Sequence, residues 1–183
     1  MDGGAISSWS DLVVEQCTFS GNSAASYGGA LATFDNSEIR NCTIAGNDTD
    51  YVCGGVYVVL GDGESLTIVS TIVAGNSSAS GGPDIFWASV STGTMTVSNS
   101  LIGDNTDSNL AAGSPDGDGN YIGTGAAPID PGLEALATNG GPTPTRALQA
   151  DSPALDSGSN PQRFSTDQRG DGYARAIGPI DIG

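Results

Sequence analysis

Apolar residues recur in one spaced pattern along the first part of the chain. Each copy has an apolar position, any residue, an aliphatic residue, two spacers, a small residue, a spacer and an apolar residue. The four copies are Leu12, Val14, Cys17 and Phe19; Ser37, Ile39, Cys42 and Ile44; Leu66, Ile68, Thr71 and Val73; and Met95, Val97, Ser100 and Ile102. The aliphatic positions lie 25, 29 and 29 residues apart, and repetition at such intervals is typical of a solenoid or a propeller.

A second pattern lies upstream of each copy and begins with two glycines. Alternate residues after Gly3-Gly4, Gly28-Gly29, Gly54-Gly55 and Gly81-Gly82 give three columns. The columns are Ala5, Ala30, Val56 and Pro83; Ser7, Ala32, Val58 and Ile85; and Trp9, Phe34, Leu60 and Trp87. Such alternation predicts a strand with one buried face, so we expect the bulky third column to form a single file in the interior.

Each repeat therefore carries three short strands, and a coil of three strands per turn is a parallel β-helix. The Gly-Asn pairs that end each copy, at Asn22, Asn47 and Asn76, suit the left-handed backbone of tight corners. We expect an all-β solenoid of about four turns over residues 1–105. Over residues 106–183 we expect a loop, Thr106–Gly125, and then irregular turns that cap the same domain.

The negative charge of the chain excludes some classes of binding partner. Its 183 residues have a formal net charge of −16, with five Arg, no Lys and no His. Nucleic acids and anionic membranes require a basic surface, so neither is an expected partner. Four of the five Arg lie after residue 144. The sequence has no apolar run long enough to span a membrane, so we expect no membrane insertion.

The cysteines and the start of the chain suggest two further expectations. Cys17 and Cys42 occupy the same position of successive repeats, where we expect small stacked core residues. A disulfide between them is allowed but not required. Because Met1 leads directly into a repeat without a signal peptide, we expect the chain to be a piece of a longer protein.

Two groups of segments resemble known families. The segments Gly3-Gly4-Ala5-Ile6 and Phe19-Ser20-Gly21-Asn22 resemble the GGAI and FxxN repeats of chlamydial polymorphic outer membrane proteins. The C-terminal region resembles that of secreted bacterial choice-of-anchor (Q-type) β-helix proteins, in the segments Ile129-Asp130-Pro131, Asn139 to Leu148, Ser152 to Asp156, Thr166 to Gly170 and Asp181-Ile182-Gly183. The resemblance implies a right-handed parallel β-helix at the cell surface or outside the cell, and it implies no particular reaction.

Two places in the sequence suggest chemistry. Arg40 is the only base of the repeats, and a pectate-lyase-like enzyme would use such a base with calcium held by acids. An exposed Arg that offsets nearby acids is the favoured interpretation. Asp116, Asp118 and Asn120 have the alternating oxygen spacing of a calcium loop, although the twelfth position holds Ala127 instead of Glu. No cofactor is required by the sequence, and calcium at this loop is a hypothesis.

The remaining candidates are structural. Asp156, Asp167 and Arg169 belong to the recurrent segments of the tail, where Asp167 and Arg169 could clamp the last turns. The outward positions of the third strand, including Thr18 and Thr43, predict a flat face of small residues that could pack against another copy or a glycan.

Three functions are consistent with these patterns. The leading one is a non-catalytic structural or adhesive module that is secreted or displayed at the cell surface. The second is a polysaccharide-binding or pectate-lyase-like module, and the third is a self-stacking extracellular filament subunit. The expected partner is accordingly another copy of the chain or a cell-surface glycan.

Overall fold

The chain winds as a parallel β-solenoid. The computed structural model describes residues 3–183, and all named strands within that range pair in parallel, without any helix. Each strand pairs with the strand one turn earlier or later along the chain, which gives about three turns. The predicted all-β parallel β-helix is confirmed.

Four sheets run along the axis of the solenoid. The first contains β1 (Ile6–Ser8), β5 (Leu31–Thr33), β9 (Val56–Val58) and β13 (Ile85–Trp87). The second contains β2 (Leu12–Glu15), β6 (Ser37–Arg40), β10 (Ser65–Val69) and β14 (Thr94–Ser98). The third contains β3 (Thr18–Phe19), β7 (Thr43–Ile44), β11 (Ile72–Val73), β15 (Leu101–Ile102) and β16 (Tyr121–Ile122). The fourth contains β4 (Ser23–Ala24), β8 (Asp48–Thr49) and β12 (Ser77–Ser78).

The repeated apolar pattern forms the interior of the second and third sheets. The aliphatic positions pair in register and are buried, in the order Val14, Ile39, Ile68 and Val97. Each such side chain contributes roughly 1.5–3 kcal/mol of transfer free energy, so the stacked column stabilises a chain with few large side chains. The predicted repeat steps of 25, 29 and 29 residues are those of the hydrogen-bonded register.

A bend separates the second sheet from the third at the same position of each turn. The residues at the bend have left-handed backbone, with φ of 51° at Gln16, 51° at Asn41, 48° at Ser70 and 46° at Asn99. The change of direction explains why two spacers interrupt the alternation of inward residues. Asn tolerates this conformation better than most residues with a side chain.

The register predicted from the glycine pairs is wrong after the second turn. Thr33 pairs with Val58, so Phe34 lies opposite Val59 and not opposite Leu60. Val58 in turn pairs with Trp87, whereas the glycine pairs had aligned it with Ile85. A slip of one residue moves a side chain to the opposite face of a sheet. The bulky column is therefore divided between the two faces.

The fourth sheet was not predicted. Its strands have two residues each and follow the Gly-Asn corners with sequences Ser-Ala, Asp-Thr and Ser-Ser. Strands this short and polar carry no alternation of apolar residues, which explains why the sequence pattern did not reveal them.

The segment predicted as a loop closes the C-terminal end of the solenoid. Within it, β16 adds a fifth strand to the third sheet. The N–H of Asn99 donates to the carbonyl of Asp118 at 3.0 Å, and the N–H of Trp87 donates to that of Asp107 at 2.9 Å. This segment therefore supplies backbone partners to the last strands of the sheets.

The rest of the tail covers the side of the solenoid. A second hydrophobic cluster joins Ile72, Ala74 and Leu101, on the outer face of the third sheet, to Ala154 and Ile182 of the tail. The face that the sequence predicted as an outward surface for another copy or a glycan is therefore covered over this part by the chain itself.

Candidate functional site

A row of aromatic rings lines the outside of the first sheet, exposed at Trp9 and half-buried at Phe34, Tyr57 and Phe86. Trp9 is 70% exposed, and its ring stacks on Phe34 at a centroid distance of 3.9 Å and an interplanar angle of 5°. The row continues from Phe34 to Tyr57 at 6.1 Å and from Tyr57 to Phe86 at 5.7 Å. We call these four residues the aromatic strip. The interior position predicted for Trp9 and Phe34 is wrong.

The other two members of the predicted interior file lie on the inner side. Leu60 is fully buried, and Trp87 is half-buried and packs against the main core. The one-residue slip in register accounts for this division, because successive residues of a strand point to opposite faces.

The corner asparagines are joined by side-chain hydrogen bonds along the axis. Asn22 Nδ2 donates to Asn47 Oδ1 at 2.8 Å, and Asn47 Nδ2 donates to Asn76 Oδ1 at 2.9 Å. Asn76 Nδ2 donates to Asp84 Oδ1 at 2.9 Å. The sequence predicted a structural role for the three asparagines, but Asp84 was missed because it lies between the inward positions Pro83 and Ile85 of the glycine-pair pattern and not at a Gly-Asn corner.

Asp84 is a buried acid. Its Oδ2 accepts a hydrogen bond from the N–H of Asp104 at 2.8 Å. Burial raises the pKa of Asp84 to about 6, although hydrogen bonds from Asn76 and Asp104 act in the opposite direction.

The oxygens of the predicted calcium loop already accept hydrogen bonds. Asp116 Oδ1 accepts from the N–H groups of Asp118 and Asn120 at 2.9 and 2.8 Å, and Asp116 Oδ2 accepts from Asn120 Nδ2 at 3.1 Å. Asn120 Oδ1 accepts from the N–H of Ser100 at 3.0 Å. Burial alone would raise the pKa of Asp116, but the hydrogen bonds from Asn120 and Asp118 lower it below its usual value. Among residues 3–183, no three or more His, Cys, Asp or Glu side chains are grouped to hold a metal ion.

Arg40 is held by carboxylates. Its Nη1 lies 2.5 Å from Glu15 Oε1, and its Nη2 contacts Glu38. The in-register pairing of β2 with β6 places Glu15 beside Arg40. The base considered for a lyase is thus engaged in two ion pairs.

The two residues predicted as the tail clamp, Asp167 and Arg169, form an ion pair. Arg169 Nη2 lies 2.6 Å from Asp167 Oδ2, and its guanidinium stacks over Tyr173 at 4.2 Å. The pKa of Arg169 is raised by its hydrogen bond with Asp167. Asp156 lies apart from this pair, and its N–H donates to Asp181 Oδ1 at 2.9 Å.

A cavity of about 300 Å³ lies between the third sheet and the tail. Three of the five Arg of the chain line it, together with Asn41 and Cys17. The Arg are Arg146, Arg169 and Arg175. The sequence offered one signal for this cavity, the concentration of Arg after residue 144, but it did not show that the tail folds back on the repeats. We refer to this feature as the lateral cavity.

The cysteine pair lies at one wall of the lateral cavity. Cys17 and Cys42 precede the paired strands β3 and β7 and are free thiols. A hydrogen bond with Cys42 lowers the pKa of Cys17 to about 7, and burial raises the pKa of Cys42. Cys53 is a third, buried thiol.

Comparison with known proteins gave no relative for this chain. No protein-family model, curated protein or solved structure matches it. The part of the chain that the structure describes also contains no helix that is long and apolar enough to cross a membrane.

Proposed function

We propose that the chain is a non-catalytic structural and adhesive β-helix module that is secreted or displayed at the cell surface. The resemblance of its repeats to polymorphic outer membrane proteins, and of its tail to choice-of-anchor proteins, supports this location. The observation that carries the adhesive role is the exposure of Trp9 at the end of the aromatic strip.

The aromatic strip is suited to hold a flat partner. Large aromatic side chains contribute most to stability when buried, so a Trp that is 70% exposed on a regular sheet favours binding. Stacking of the strands places the rings in a row along the axis. Trp9 lies at the end of this row, and the face of its ring that does not stack on Phe34 can pack against the flat C–H face of a sugar ring, so we take a surface glycan as the partner.

The contacts of Arg40 support a non-catalytic role over a lyase-like one. A base that abstracts a proton must reach its substrate and must lose its own proton. Two carboxylates beside the guanidinium, Glu15 and Glu38, occupy its donors.

The hydrogen bonds of Asp116 support a capping role for its loop. Asn120 donates through Nδ2 to the carbonyl of Val97 at 2.9 Å, which joins the loop to the last strand of the second sheet. A calcium ion at this loop would have to displace several of these hydrogen bonds.

Binding to insoluble cellulose and chitin tests the proposal. We expect the wild-type chain to be retained without release of new reducing ends. The double variant Trp9→Ala/Phe34→Ala should lose at least about tenfold in affinity, because central aromatic residues dominate binding energies. Val90→Ala is the matched control, since Val90 is an exposed apolar residue outside the strip.

Two outcomes would contradict the proposal. Unchanged retention of the double variant would remove the strip as the binding surface. New reducing ends that appear with the wild-type chain would make the module an enzyme.

A second candidate function is self-stacking. The strands of the first described turn, β1 to β4, are terminal strands in their sheets. Unpaired strand edges can pair with another chain. Light scattering after size exclusion, over a range of protein concentrations, should show growth into dimers and longer species, and a concentration-independent monomer would reject this candidate.

A further inference from the structure

The lateral cavity has one regular wall and one irregular wall. Thr18, Thr43 and Ile72, on the outer face of the third sheet, form part of the regular wall. Segments of the tail form the other wall, which includes Thr145 and Gln168. Its volume of about 300 Å³ is at the lower limit for small-molecule sites, so it suits a ligand of one sugar ring.

Arg146 offers a charge to this space without a carboxylate partner. Its Nε and Nη2 donate to Ser20 Oγ at 3.0 and 2.9 Å, and its Nη1 donates to the carbonyl of Glu134 at 3.3 Å. Among the described residues, no acidic side chain forms an ion pair with Arg146. These contacts hold the guanidinium in place while its positive charge remains uncompensated.

Arg175 and Asn41 each leave a buried atom without a partner. Arg175 donates from Nη1 to the carbonyl of Gly183 at 2.7 Å and from Nη2 to that of Asp181 at 2.9 Å, but its buried Nε has no hydrogen-bond partner. Asn41 is 4% exposed, and its Oδ1 has no partner, although its Nδ2 donates to the carbonyl of Ser159 at 3.2 Å. Buried polar groups in folded proteins are normally paired, so these two unpaired atoms show that the chain itself does not satisfy all polar groups of the residues that line the cavity.

Two acids also line the lateral cavity. Asp167 is neutralised by Arg169, which contacts both of its carboxylate oxygens. Asp181 Oδ1 accepts a hydrogen bond from the N–H of Asp156. With three Arg and two Asp, the formal charge of the lining is +1, in a chain with a net charge of −16.

We propose that the lateral cavity binds the terminal acidic sugar of a glycan, that is, a carboxylate with neighbouring hydroxyl groups. Arg146 and Arg175 supply donors for the carboxylate, because charge-assisted hydrogen bonds to carboxylates are the strongest that Arg forms. Asn41 belongs to the same lining and forms part of the wall around the sugar ring. This inference adds a charged site on the third sheet to the proposed adhesive function, whose aromatic strip lies on the first sheet.

Calorimetric titration of the full chain with methyl β-glucuronide and methyl β-glucoside tests the ligand class. The two compounds have the same ring and differ in the carboxylate. We expect saturable binding of the glucuronide and at least about tenfold weaker binding of the glucoside, since a hydrogen bond to a charged group is lost. Equal binding of both, or no saturable binding of the glucuronide, would overturn the proposal. Acetate that binds as tightly as the glucuronide would also overturn it, because it would show an adventitious anion only.

Variants test the location of the site. Arg146→Gln should weaken glucuronide binding by about tenfold or more, whereas Arg163→Gln should leave it unchanged. Arg163 is exposed and outside the lining, so both variants change the net charge equally. An equal loss in both variants would reduce the effect to general electrostatics and overturn the proposal.

Asn41→Ser provides a second test inside the lateral cavity. The next turn has Ser70 at the same bend with similar backbone, so this change is compatible with folding. We expect weaker glucuronide binding with an unchanged far-ultraviolet circular dichroism spectrum. Wild-type affinity in both Asn41→Ser and Arg146→Gln would exclude the lateral cavity as the site, and retention on cellulose and chitin would still report on the aromatic strip separately.

Discussion

The repeats and the tail contain similar residues but are stabilised in different ways. In the repeats, each strand forms backbone hydrogen bonds with the strands of neighbouring turns, and aliphatic side chains stack in register. Beyond β16, the backbone pairing consists of isolated antiparallel bridges, such as Leu133 with Leu148 and Thr166 with Ala174. The tail therefore depends on contacts with the repeats, whereas the repeats support one another.

In addition to the second hydrophobic cluster, hydrogen bonds between residues far apart in sequence join the two regions. Gln16 Nε2 donates to the carbonyl of Thr166 at 2.6 Å, and Thr18 Oγ1 donates to Gln168 Oε1 at 2.6 Å. The N–H of Gly183 donates to the carbonyl of Ser70 at 2.9 Å. We therefore expect damage to the repeats to affect the whole chain, and damage to the tail to remain local.

The repeats and the tail should differ most in their response to a charge placed in the hydrophobic cluster of each region. Ile39→Asp places a carboxylate in the stacked interior, and we expect it to cost about 5 kcal/mol or more and to abolish cooperative folding. Ile182→Asp, at an equally buried position of the second cluster, should release the tail and leave the β signal of the repeats. Circular dichroism with amide hydrogen exchange would measure both. Similar loss of β structure in the two variants would contradict the proposed independence of the repeats.

Removal of one corner asparagine should destabilise the chain more at the centre of the repeats than at their first turn. Asn76→Ala deletes buried hydrogen bonds to Asp84, Asn47 and the carbonyl of Ile44, and we expect a loss of about 3–4 kcal/mol of unfolding free energy. Asn22→Ala deletes one partly buried donor to Asn47 and should cost about 1 kcal/mol. Urea denaturation of both variants would test this order, which equal losses would refute.

The buried carboxyl of Asp84 should make the unfolding free energy depend on pH in a way that exposed carboxylates do not. Its pKa is raised from 3.8 to about 6, so between these values the folded chain binds more protons than the unfolded chain. The contribution of Asp84 to stability is therefore full below about pH 4 and is lost as the pH rises through about 6, by about 3 kcal/mol in total.

Asp84→Asn should remove this part of the pH dependence. Urea denaturation at pH 4 and pH 7 would give the unfolding free energies of both proteins, and the surface carboxylates cancel in the comparison. If the variant has the same change between the two pH values as the wild type, Asp84 does not titrate as described.

The smallest effect should come from the clamp in the tail. Arg169→Ala removes the pair with Asp167 and the stacking on Tyr173, both partly exposed, and should lower the melting temperature by an amount that corresponds to about 1 kcal/mol. Arg163→Ala is the control, because Arg163 is exposed and forms no ion pair among the described residues. A melting temperature that is unchanged in Arg169→Ala would remove the clamp.

The sequence predicted the repeats well where the signal was a fixed spacing of aliphatic residues. Val14 and Ile39 needed only a constant step and a two-residue bend to be aligned correctly. The glycine pairs misled because a glycine can occupy several places in a turn. The N–H of Gly29 donates to the carbonyl of Cys53, directly before Gly54, whereas the N–H of Gly54 donates to that of Pro83, two residues beyond Gly81. The residue types of a turn do not determine how its strands align with the next turn when the loops between them differ in length.

The candidate site was less predictable than the fold. Its walls meet only because the tail folds back over more than a hundred residues of sequence, as in the contact of Arg146 with Ser20. Such contacts depend on the direction that the chain takes after β16, for which the sequence has no periodic signal. The excess of Arg in the tail indicated an unusual region but not its counterpart on the repeats.

The row of corner asparagines has a direction, and its last member gives it an end. Each asparagine amide can accept a hydrogen bond from the preceding turn and donate one to the following turn, so such a row could continue through any number of turns. An ionised carboxylate can only accept hydrogen bonds, so the row ends at Asp84. The strands after Asp84, β13 to β16, continue the coil without a further member of this row.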